Sequence, residues 1–181
     1  NISSPNTEGL RDFHKQEKLK NLLLALNKIK KENKTDISLL LKVSPDIEDN
    51  YISEIVDVAT NNDIAAIILT NTTNGNRDNL RSEIKKEKGG LSGKPLQEIS
   101  TNMIKKFYKQ LNGKIPIIGV GGVDSGKSAY EKIIAGASLL QLYTGFIYKG
   151  PSVVKDIKKG LIQILKAEGL NNIKEAIGKG V

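Results

Sequence analysis

The chain contains no cysteine, no tryptophan and a single methionine among its 181 residues. The lack of cysteine excludes a disulfide scaffold, a thiolate metal site and cysteine-based catalysis, and no other metal site is expected. Aromatic residues are scarce, with three Phe and five Tyr, and they do not alternate with basic residues in the strip that stacks nucleic-acid bases. No apolar run approaches the roughly 20 residues that a membrane span needs, and no signal-peptide pattern is present.

Positive charge is in excess. The 28 Lys and Arg outnumber the 20 Asp and Glu, which gives a formal net charge of +8. Such an excess can favour nucleic acid or an anionic membrane surface. The basic residues are scattered over amphipathic segments that are typical of solvated helix faces, so no nucleic-acid partner is expected. The single histidine, His14, lies among polar residues and is predicted to be at the surface.

Short apolar runs alternate with longer amphipathic ones along the chain. Four runs of strand type are bounded by Gly, Pro, Asp or Asn, and they cover residues 37–43, 65–70, 115–120 and 137–143. Apolar residues recur at helical spacing in 19–29, 99–111 and 154–165. Strands that are apolar on both faces and alternate with helices indicate a parallel sheet covered by helices. The sequence therefore predicts an α/β fold of four strand–helix units plus the tail of a fifth strand at Asn1. Half of a (β/α)₈ barrel and part of an open doubly wound sheet both fit.

Polar motifs follow the predicted strands at their carboxyl ends. Lys42 closes the first strand, residues 70–72 the second, the pair Gly121 and Gly122 the third, and Tyr143 with Thr144 the fourth. Ligands bind at those ends in barrels and open sheets alike, so this one-sided placement predicts a binding site. Residues 71–88 lack a clear period and are predicted to form an active-site loop.

The first seven residues, NISSPNT, concentrate two amides, three hydroxyls and a proline. Amides and hydroxyls hydrogen-bond a flat polar ring from several directions, and proline fixes the local backbone. Taken alone, the segment is equally typical of a polar turn. Because so polar a motif opens the chain without a preceding strand, we expect the chain to be the C-terminal part of a longer protein.

Residues 121–128, GGVDSGKS, match the phosphate-loop pattern of nucleotide-binding proteins. In that interpretation Lys127 neutralises the β- and γ-phosphates and Ser128 holds magnesium. Against it, the next predicted strand ends in Tyr and Thr and offers no Asp for magnesium. Alternatively, Gly121 and Gly122 let the backbone approach a phosphate closely, at the start of a helix.

Six ordered blocks together resemble dihydroorotate dehydrogenase, and specifically its quinone-linked class 2. The blocks are NISSPNT-x-GLR at 1–11, LLLKVSPD at 39–46, ILTNTT at 68–73, GGLSGKPL at 89–96, PIIGVGGV at 116–123 and EKIIAGASLLQLYTGFIYKGP at 131–151. The resemblance implies a (β/α)₈ TIM barrel that binds FMN at the carboxyl ends of its strands. Residues 1–181 would be the C-terminal half of this single domain, whose N-terminal half is absent from the chain. Ser4 stands where related enzymes of the other class carry a cysteine, which favours class 2.

The same resemblance implies roles for individual residues. Ser4 would remove the C5 proton of dihydroorotate, with Thr7 relaying it, while Ser3 has no assigned role. The residues implied in holding the substrate are Asn1, Asn6, Asn71 and Thr72. Those implied in binding FMN are Asn1, Lys42, Thr70, Gly93, Gly121, Gly122, Tyr143 and Thr144. Two of these have plain alternatives, since Lys42 fits a strand-end lysine that reaches to solvent and Gly93 fits a tight turn.

The implied function is oxidation of dihydroorotate to orotate with FMN and a quinone acceptor in pyrimidine biosynthesis. The resemblance also implies peripheral association with a bacterial or mitochondrial inner membrane, through N-terminal segments that this chain lacks. Two alternatives remain open from the residues alone. One is a P-loop NTPase or kinase that uses Lys127, and the other is a non-catalytic half-barrel that binds phosphorylated ligands.

Overall fold

The computed structural model describes residues 1–75 and 77–181, and within them a four-stranded sheet alternates with helices. The strands are β1 (Leu39–Val43), β2 (Ile64–Leu69), β3 (Ile117–Val120) and β4 (Ala137–Gln141). The helices are α1 (Gln16–Glu32), α2 (Asn50–Thr60), α3 (Gln97–Leu111), α4 (Gly126–Ile134), α5 (Thr144–Lys149) and α6 (Ser152–Ala167). Short 3₁₀ turns occupy Leu10–His14, Glu83–Lys86, Lys94–Leu96 and Ile173–Ala176.

All strand pairs in the sheet are parallel, in the order β1-β2-β3-β4. The register pairs Lys42 with Ile68, Leu69 with Gly119 and Val120 with Gln141. Parallel neighbours need crossover connections, and here helices supply them. The predicted α/β fold class is therefore confirmed, and the carboxyl ends of the four strands lie along one edge of the sheet.

The structure differs from the sequence prediction in several elements. The four predicted strand–helix units imply a helix at α2, although no helical spacing was identified there, and α5 was not predicted. Three strands are shorter than the apolar runs, as at β3, which begins at Ile117 rather than at residue 115, while β2 has the predicted length but begins one residue earlier, at Ile64. Residues 1–9 contain no helix or strand, so the structure assigns no strand at Asn1. The predicted loop at 71–88 contains one 3₁₀ turn and an isolated bridge from Thr73 to Leu91, while its residue Asn76 lies outside the described residues.

The core lies between the sheet and helices α1 to α3. Phe107, Leu19 and Ile55 are fully buried there against Ile67 and Ile117 of the central strands. A smaller cluster, Val123, Ala129, Val153 and Ile157, joins α4 to α6. Truncating a buried Phe of this kind to Ala typically costs about 3–5 kcal/mol. In the described part of the chain, no helix is both long and apolar enough to cross a membrane.

The outer strands of the sheet are exposed. In the described residues β1 pairs only with β2, and β4 only with β3. Leu40 on β1 is 47% exposed and Leu139 on β4 is 62% exposed. Unpaired N–H and C=O groups beside apolar side chains favour pairing with another chain.

When the 181-residue chain is expressed alone, we expect it to associate through these two edges. A few hundred Å² of apolar surface at about 25 cal/mol per Å² is comparable with the stability of a whole domain. Leu40→Lys combined with Leu139→Lys should shift the chain towards monomer in size-exclusion chromatography with light scattering. Ile162→Lys, on the exposed face of α6, is the control and should leave the association unchanged. A monodisperse parent monomer would contradict this expectation.

Candidate functional site

A cavity of about 220 Å³ opens at the carboxyl edge of the sheet. Nine residues with sequence-predicted roles line it: Lys42, Thr70, Asn71, Thr72, Gly93, Gly121, Gly122, Tyr143 and Thr144. Residues without a predicted role also line it, namely Ser92, Leu96, Val120, Val123, Leu142 and Gly145. The predicted site residues from four strand ends are thus brought together around one space.

A wider and shallower cleft of about 980 Å³ is lined by Pro5, Asn6 and residues 74–75, 77–78 and 85–89. Its described walls are mostly exposed and charged. The smaller cavity is the better candidate site because it combines apolar walls with a few converging polar groups.

Gly121 and Gly122 form one wall of the cavity, in backbone conformations that other residues rarely adopt. Their φ angles are 117° and 74°. A Cβ on Gly122 would lie 2.8 Å from Cα of Gln97, and one on Gly121 would lie 3.1 Å from Cβ of Ser100. The loop therefore needs glycine for both its conformation and its packing, and it leaves the backbone open to close approach by a ligand.

The alternative phosphate-loop interpretation does not fit this geometry. Lys127 is exposed and does not line the cavity. The Ser128 hydroxyl accepts from the N–H groups of Asp124 at 2.9 Å and Ser125 at 3.0 Å, in a capping box that starts α4. Because Lys127 does not line the cavity and the Ser128 hydroxyl is hydrogen-bonded within the helix cap, these two residues do not form a nucleotide–magnesium site.

Gly93 and Thr144 approach each other across the cavity mouth. Gly93 has a φ of 75°, and a Cβ there would lie 2.9 Å from Cγ2 of Thr144. The Thr144 hydroxyl is 2.9 Å from that of Ser92. The tight-turn interpretation of Gly93 is therefore compatible with a place in the cavity wall. Tyr143 beside it remains 75% exposed.

Lys42 is a half-buried cation that faces the cavity. Burial lowers the pKa of its ammonium group. Among the described residues it has no hydrogen-bond or ion-pair partner. A desolvated cation without a partner is costly, and an anionic ligand in the cavity would offset that cost.

An amide–hydroxyl network connects the first residues to the end of β2. Asn71 Nδ2 donates to Asn1 Oδ1 and to Ser3 Oγ, both at 3.0 Å. Asn71 Oδ1 accepts from the N–H of Thr72 at 2.8 Å. Ser3 is fully buried and donates to Asn1 Oδ1 at 3.0 Å. Ser3, to which the sequence assigned no role, thus fixes the orientation of Asn71.

Ser4, Asn6 and Thr7 lie outside the lining of the smaller cavity. Ser4 is half-buried, and its Oγ accepts from the N–H of Asn6 at 3.3 Å. Asn6 borders the wider cleft. Thr7 is exposed, and within the described residues no hydrogen bond joins its hydroxyl to that of Ser4. The two predicted catalytic hydroxyls are therefore close in sequence but not hydrogen-bonded to each other.

Asp46 connects three segments that are distant in sequence, and the sequence analysis had not singled it out. Its Oδ2 accepts from Arg11 Nη2 at 2.8 Å and from the N–H of Asn74 at 2.9 Å. Its Oδ1 accepts from the Thr73 hydroxyl. The carboxylate holds the 3₁₀ turn after residue 9, the loop after β1 and the loop after β2 in one arrangement.

His14 is 3% exposed, so the expected surface position is wrong. Its Nδ1 is 2.9 Å from the Arg11 carbonyl oxygen, which only accepts, and its Nε2 is 3.2 Å from the N–H of Ser44, which only donates. These partners require a neutral ring with the proton on Nδ1. Burial lowers the pKa of the ring further, helped by the nearby Arg11 charge and opposed by the Arg11 carbonyl.

We predict that His14 makes the folded state sensitive to mild acid. Its pKa in the folded state lies below the ordinary value of 6.5, so the unfolded chain binds more protons in acid. The stabilisation is complete above about pH 6.5 and is lost as the pH falls below it. In His14→Gln, the side-chain amide offers a donor and an acceptor, as the neutral ring does, and does not titrate. Urea unfolding of the full-length protein between pH 8 and 5 should show a steeper loss for the parent. Parallel curves would contradict a titrating His14.

The sequence of this chain is similar to that of a known protein family. Residues 1–165 match the family model described as dihydroorotate dehydrogenase. The "Dihydroorotate dehydrogenase (quinone)" of Christiangramia forsetii is 47% identical over 90% of this chain, and that of Nautilia profundicola is 47% identical over 98%. The mitochondrial protein of that name from Arabidopsis thaliana is 43% identical over 98% of this chain.

Solved structures of the same family superpose closely on this chain. The crystal structure of DHODH from Eimeria tenella in complex with ferulenol superposes with a TM-score of 0.93 at 37% identity, over 99% of this chain and 52% of that one. The ligand-free form from the same organism gives a TM-score of 0.92. The chain spans about half the length of the curated relatives that it matches, 48% of the C. forsetii protein and 40% of the A. thaliana protein.

Proposed function

This chain belongs to the dihydroorotate dehydrogenase family, and from that premise we propose that the protein containing it oxidises dihydroorotate to orotate with FMN and a quinone acceptor, in pyrimidine biosynthesis. One observation carries the proposal. The cavity that joins a glycine wall to the unpaired Lys42 lies beside the amide network of Asn1 and Asn71. A phosphorylated, flat, electron-accepting cofactor and a small polar ring match these two neighbouring environments.

The residues around the cavity fit FMN. Gly121 and Gly122 line the cavity without side chains, so a phosphate could approach their backbone, and Thr144 also lines the cavity. Lys42, Thr70 and Asn1 would face the flavin ring, with Gly93 and Tyr143 at the mouth. When bound, FMN supplies a two-electron acceptor for the hydride that leaves C6 of the substrate. The Lys42 ammonium group would stabilise negative charge that develops nearby.

Dihydroorotate would lie against Asn1, Asn6, Asn71 and Thr72. Their amides and hydroxyl offer both donors and acceptors to the ring. Asn71 is already oriented by Ser3 and Asn1, so less conformational entropy is lost when the substrate binds. The ring anchored in this way would place its C5 proton towards residues 4–7.

Ser4 would take the C5 proton. The bond from Asn6 N–H to its oxygen favours the deprotonated form of the hydroxyl. The proton of the hydroxyl must leave as the C5 proton arrives, and Thr7 would pass it to solvent. Because the two hydroxyls are not bonded to each other here, this relay needs a change in the loop at 4–7 once the substrate is bound.

Peripheral association with a bacterial or mitochondrial inner membrane is part of the proposal. It rests on the quinone-linked names of the relatives, one of which is mitochondrial, and on the location of quinones in membranes. In the non-catalytic alternative, the half-barrel binds phosphorylated ligands and catalyses no reaction.

Flavin content and turnover of the full-length protein test the proposal directly. We expect a yellow protein that releases FMN on denaturation and reduces a quinone only when dihydroorotate is present. A protein that binds FMN but does not turn over would favour the non-catalytic alternative. A colourless protein that hydrolyses nucleotides would favour the P-loop interpretation instead.

We predict that Ser4→Ala in the full-length protein lowers kcat by about 10²–10⁴-fold, the usual effect of losing a positioned general base. Bound FMN should be retained, because Ser4 does not line the cavity. Flavin absorbance and rapid mixing with dihydroorotate measure the two quantities separately. Ser4→Cys, which restores a proton acceptor, should recover part of the rate. Near-normal reduction of the flavin by Ser4→Ala would remove this residue from the mechanism.

The glycine wall and Lys127 give a matched pair of predictions. Gly122→Val should release FMN, because its Cβ would collide with Gln97 and its φ of 74° is strained for valine. Lys127→Ala, five residues after Gly122 and exposed, should leave flavin content and kcat unchanged. Flavin-to-protein absorbance ratios measure both variants. The reverse pattern would indicate that Lys127, and not the glycines, binds the phosphate.

A further inference from the structure

Lys132 on α4 is a fully buried cation that the proposed reaction does not use. Its Nζ donates to the Gln97 carbonyl at 3.3 Å, to Ser100 Oγ at 3.1 Å and to Thr101 Oγ1 at 3.1 Å. Burial lowers the pKa of this ammonium group to about 8. All three acceptors are neutral, and no ion pair involves Lys132 in the described part of the chain.

The three acceptors belong to the first turns of α3, which form the back of the glycine wall. A Cβ on Gly122 would contact Gln97, and one on Gly121 would contact Ser100 at 3.1 Å. The Ser100 hydroxyl also donates to the Val120 carbonyl at 2.5 Å, immediately before the two glycines. A continuous chain of hydrogen bonds therefore runs from Lys132 through Ser100 to the backbone that enters the loop.

We propose that Lys132 is a positioning residue for phosphate binding, which holds the first turns of α3 against Gly121 and Gly122 and places a buried positive charge behind the bound phosphate. This inference rests on the proposed function, because it assumes that FMN phosphate occupies the glycine wall. The ammonium group is separated from that wall by the Ser100 side chain and does not touch the ligand.

Two features favour this role over simple cross-linking of two helices. Neutral hydroxyls and amides would join α3 to α4 without the cost of desolvating a charge. A phosphate at the glycine wall would supply the negative charge that Lys132 lacks among its immediate partners. Glu131, its neighbour on α4, raises the pKa of Lys132 through its charge but forms no ion pair with it in the described residues, and its carboxylate accepts from Gln97 Nε2 at 2.6 Å.

Comparing two flavins isolates the phosphate contribution. FMN and riboflavin differ only in the phosphate, so the ratio of their dissociation constants reports on the glycine wall and not on the ring site. The full-length protein, stripped of flavin, would be titrated with each by fluorescence quenching. We expect Lys132→Met to weaken FMN binding by about tenfold, a typical size for coupling between a ligand and a group that it does not touch, with riboflavin binding changed much less.

Two variants on the same helix serve as controls. Lys127→Met makes the same chemical change at an exposed position and should leave both dissociation constants unchanged. Ile133→Ala removes a buried side chain next to Lys132 and should lower Tm while keeping the FMN-to-riboflavin ratio. If Lys132→Met does not fold, Ser100→Ala breaks the same chain of hydrogen bonds by losing one atom and should change the ratio in the same direction.

The result that would contradict the role of Lys132 differs from the result that would contradict the proposed phosphate site. An unchanged ratio in Lys132→Met, or in Ser100→Ala where that variant replaces it, would make Lys132 a structural residue only. A ratio that Ile133→Ala shifts equally would assign the effect to lost stability. If the parent protein bound riboflavin as tightly as FMN, the phosphate site itself would be wrong, and the inference would fall with it.

Discussion

The parallel register of the four strands is the constraint on which the whole site depends. Pairing continues beyond the strands themselves, since Thr70 N–H donates to the Val120 carbonyl at 3.1 Å and Asn71 N–H to the Val43 carbonyl at 2.9 Å. Side chains alternate between the two faces of a strand, so a shift of one residue in β1 would turn Lys42 away from the cavity. The backbone bonds therefore fix both which residues meet and which way they point.

Much of the fold could be predicted from the sequence because its long helices and strands place apolar side chains at a regular spacing on the face that they bury. The strands and helices α1, α3 and α6 follow this rule. Helix α2 also buries Ile52, Ile55 and Val56 at helical spacing, but their β-branched side chains favour strands as much, so the pattern was not identified as a helix. Helix α5 has only six residues, too few for a period to be recognised. Local composition therefore failed where tertiary packing decides the structure.

For the site, the sequence predicted most of the residues that line the cavity but not those that hold them in place. Residues that touch the cavity stand in polar motifs at strand ends, and the sequence found most of them. The residues that hold those motifs in place did not stand out, because their partners are distant in sequence. His14 meets Ser44 across 30 positions, Arg11 meets Asp46 across 35, and Lys132 meets Ser100 across 32. A lone buried polar side chain has no local signature, since only the folded chain shows what satisfies it.

The distribution of paired and unpaired charge explains why the cavity suits an anion. The nearby carboxylates are already committed, Asp46 to Arg11 at 2.8 Å and Asp124 to Lys149 at 3.2 Å. Lys42 and Lys132 form no ion pair in the described residues, and desolvation lowers the pKa of each, opposed at Lys132 by the charge of Glu131. An isolated buried cation destabilises a fold unless a negative charge approaches it. A phosphorylated, electron-accepting ligand would therefore stabilise the same strand ends and loops that bind it, so cofactor binding and the order of the site should be thermodynamically linked.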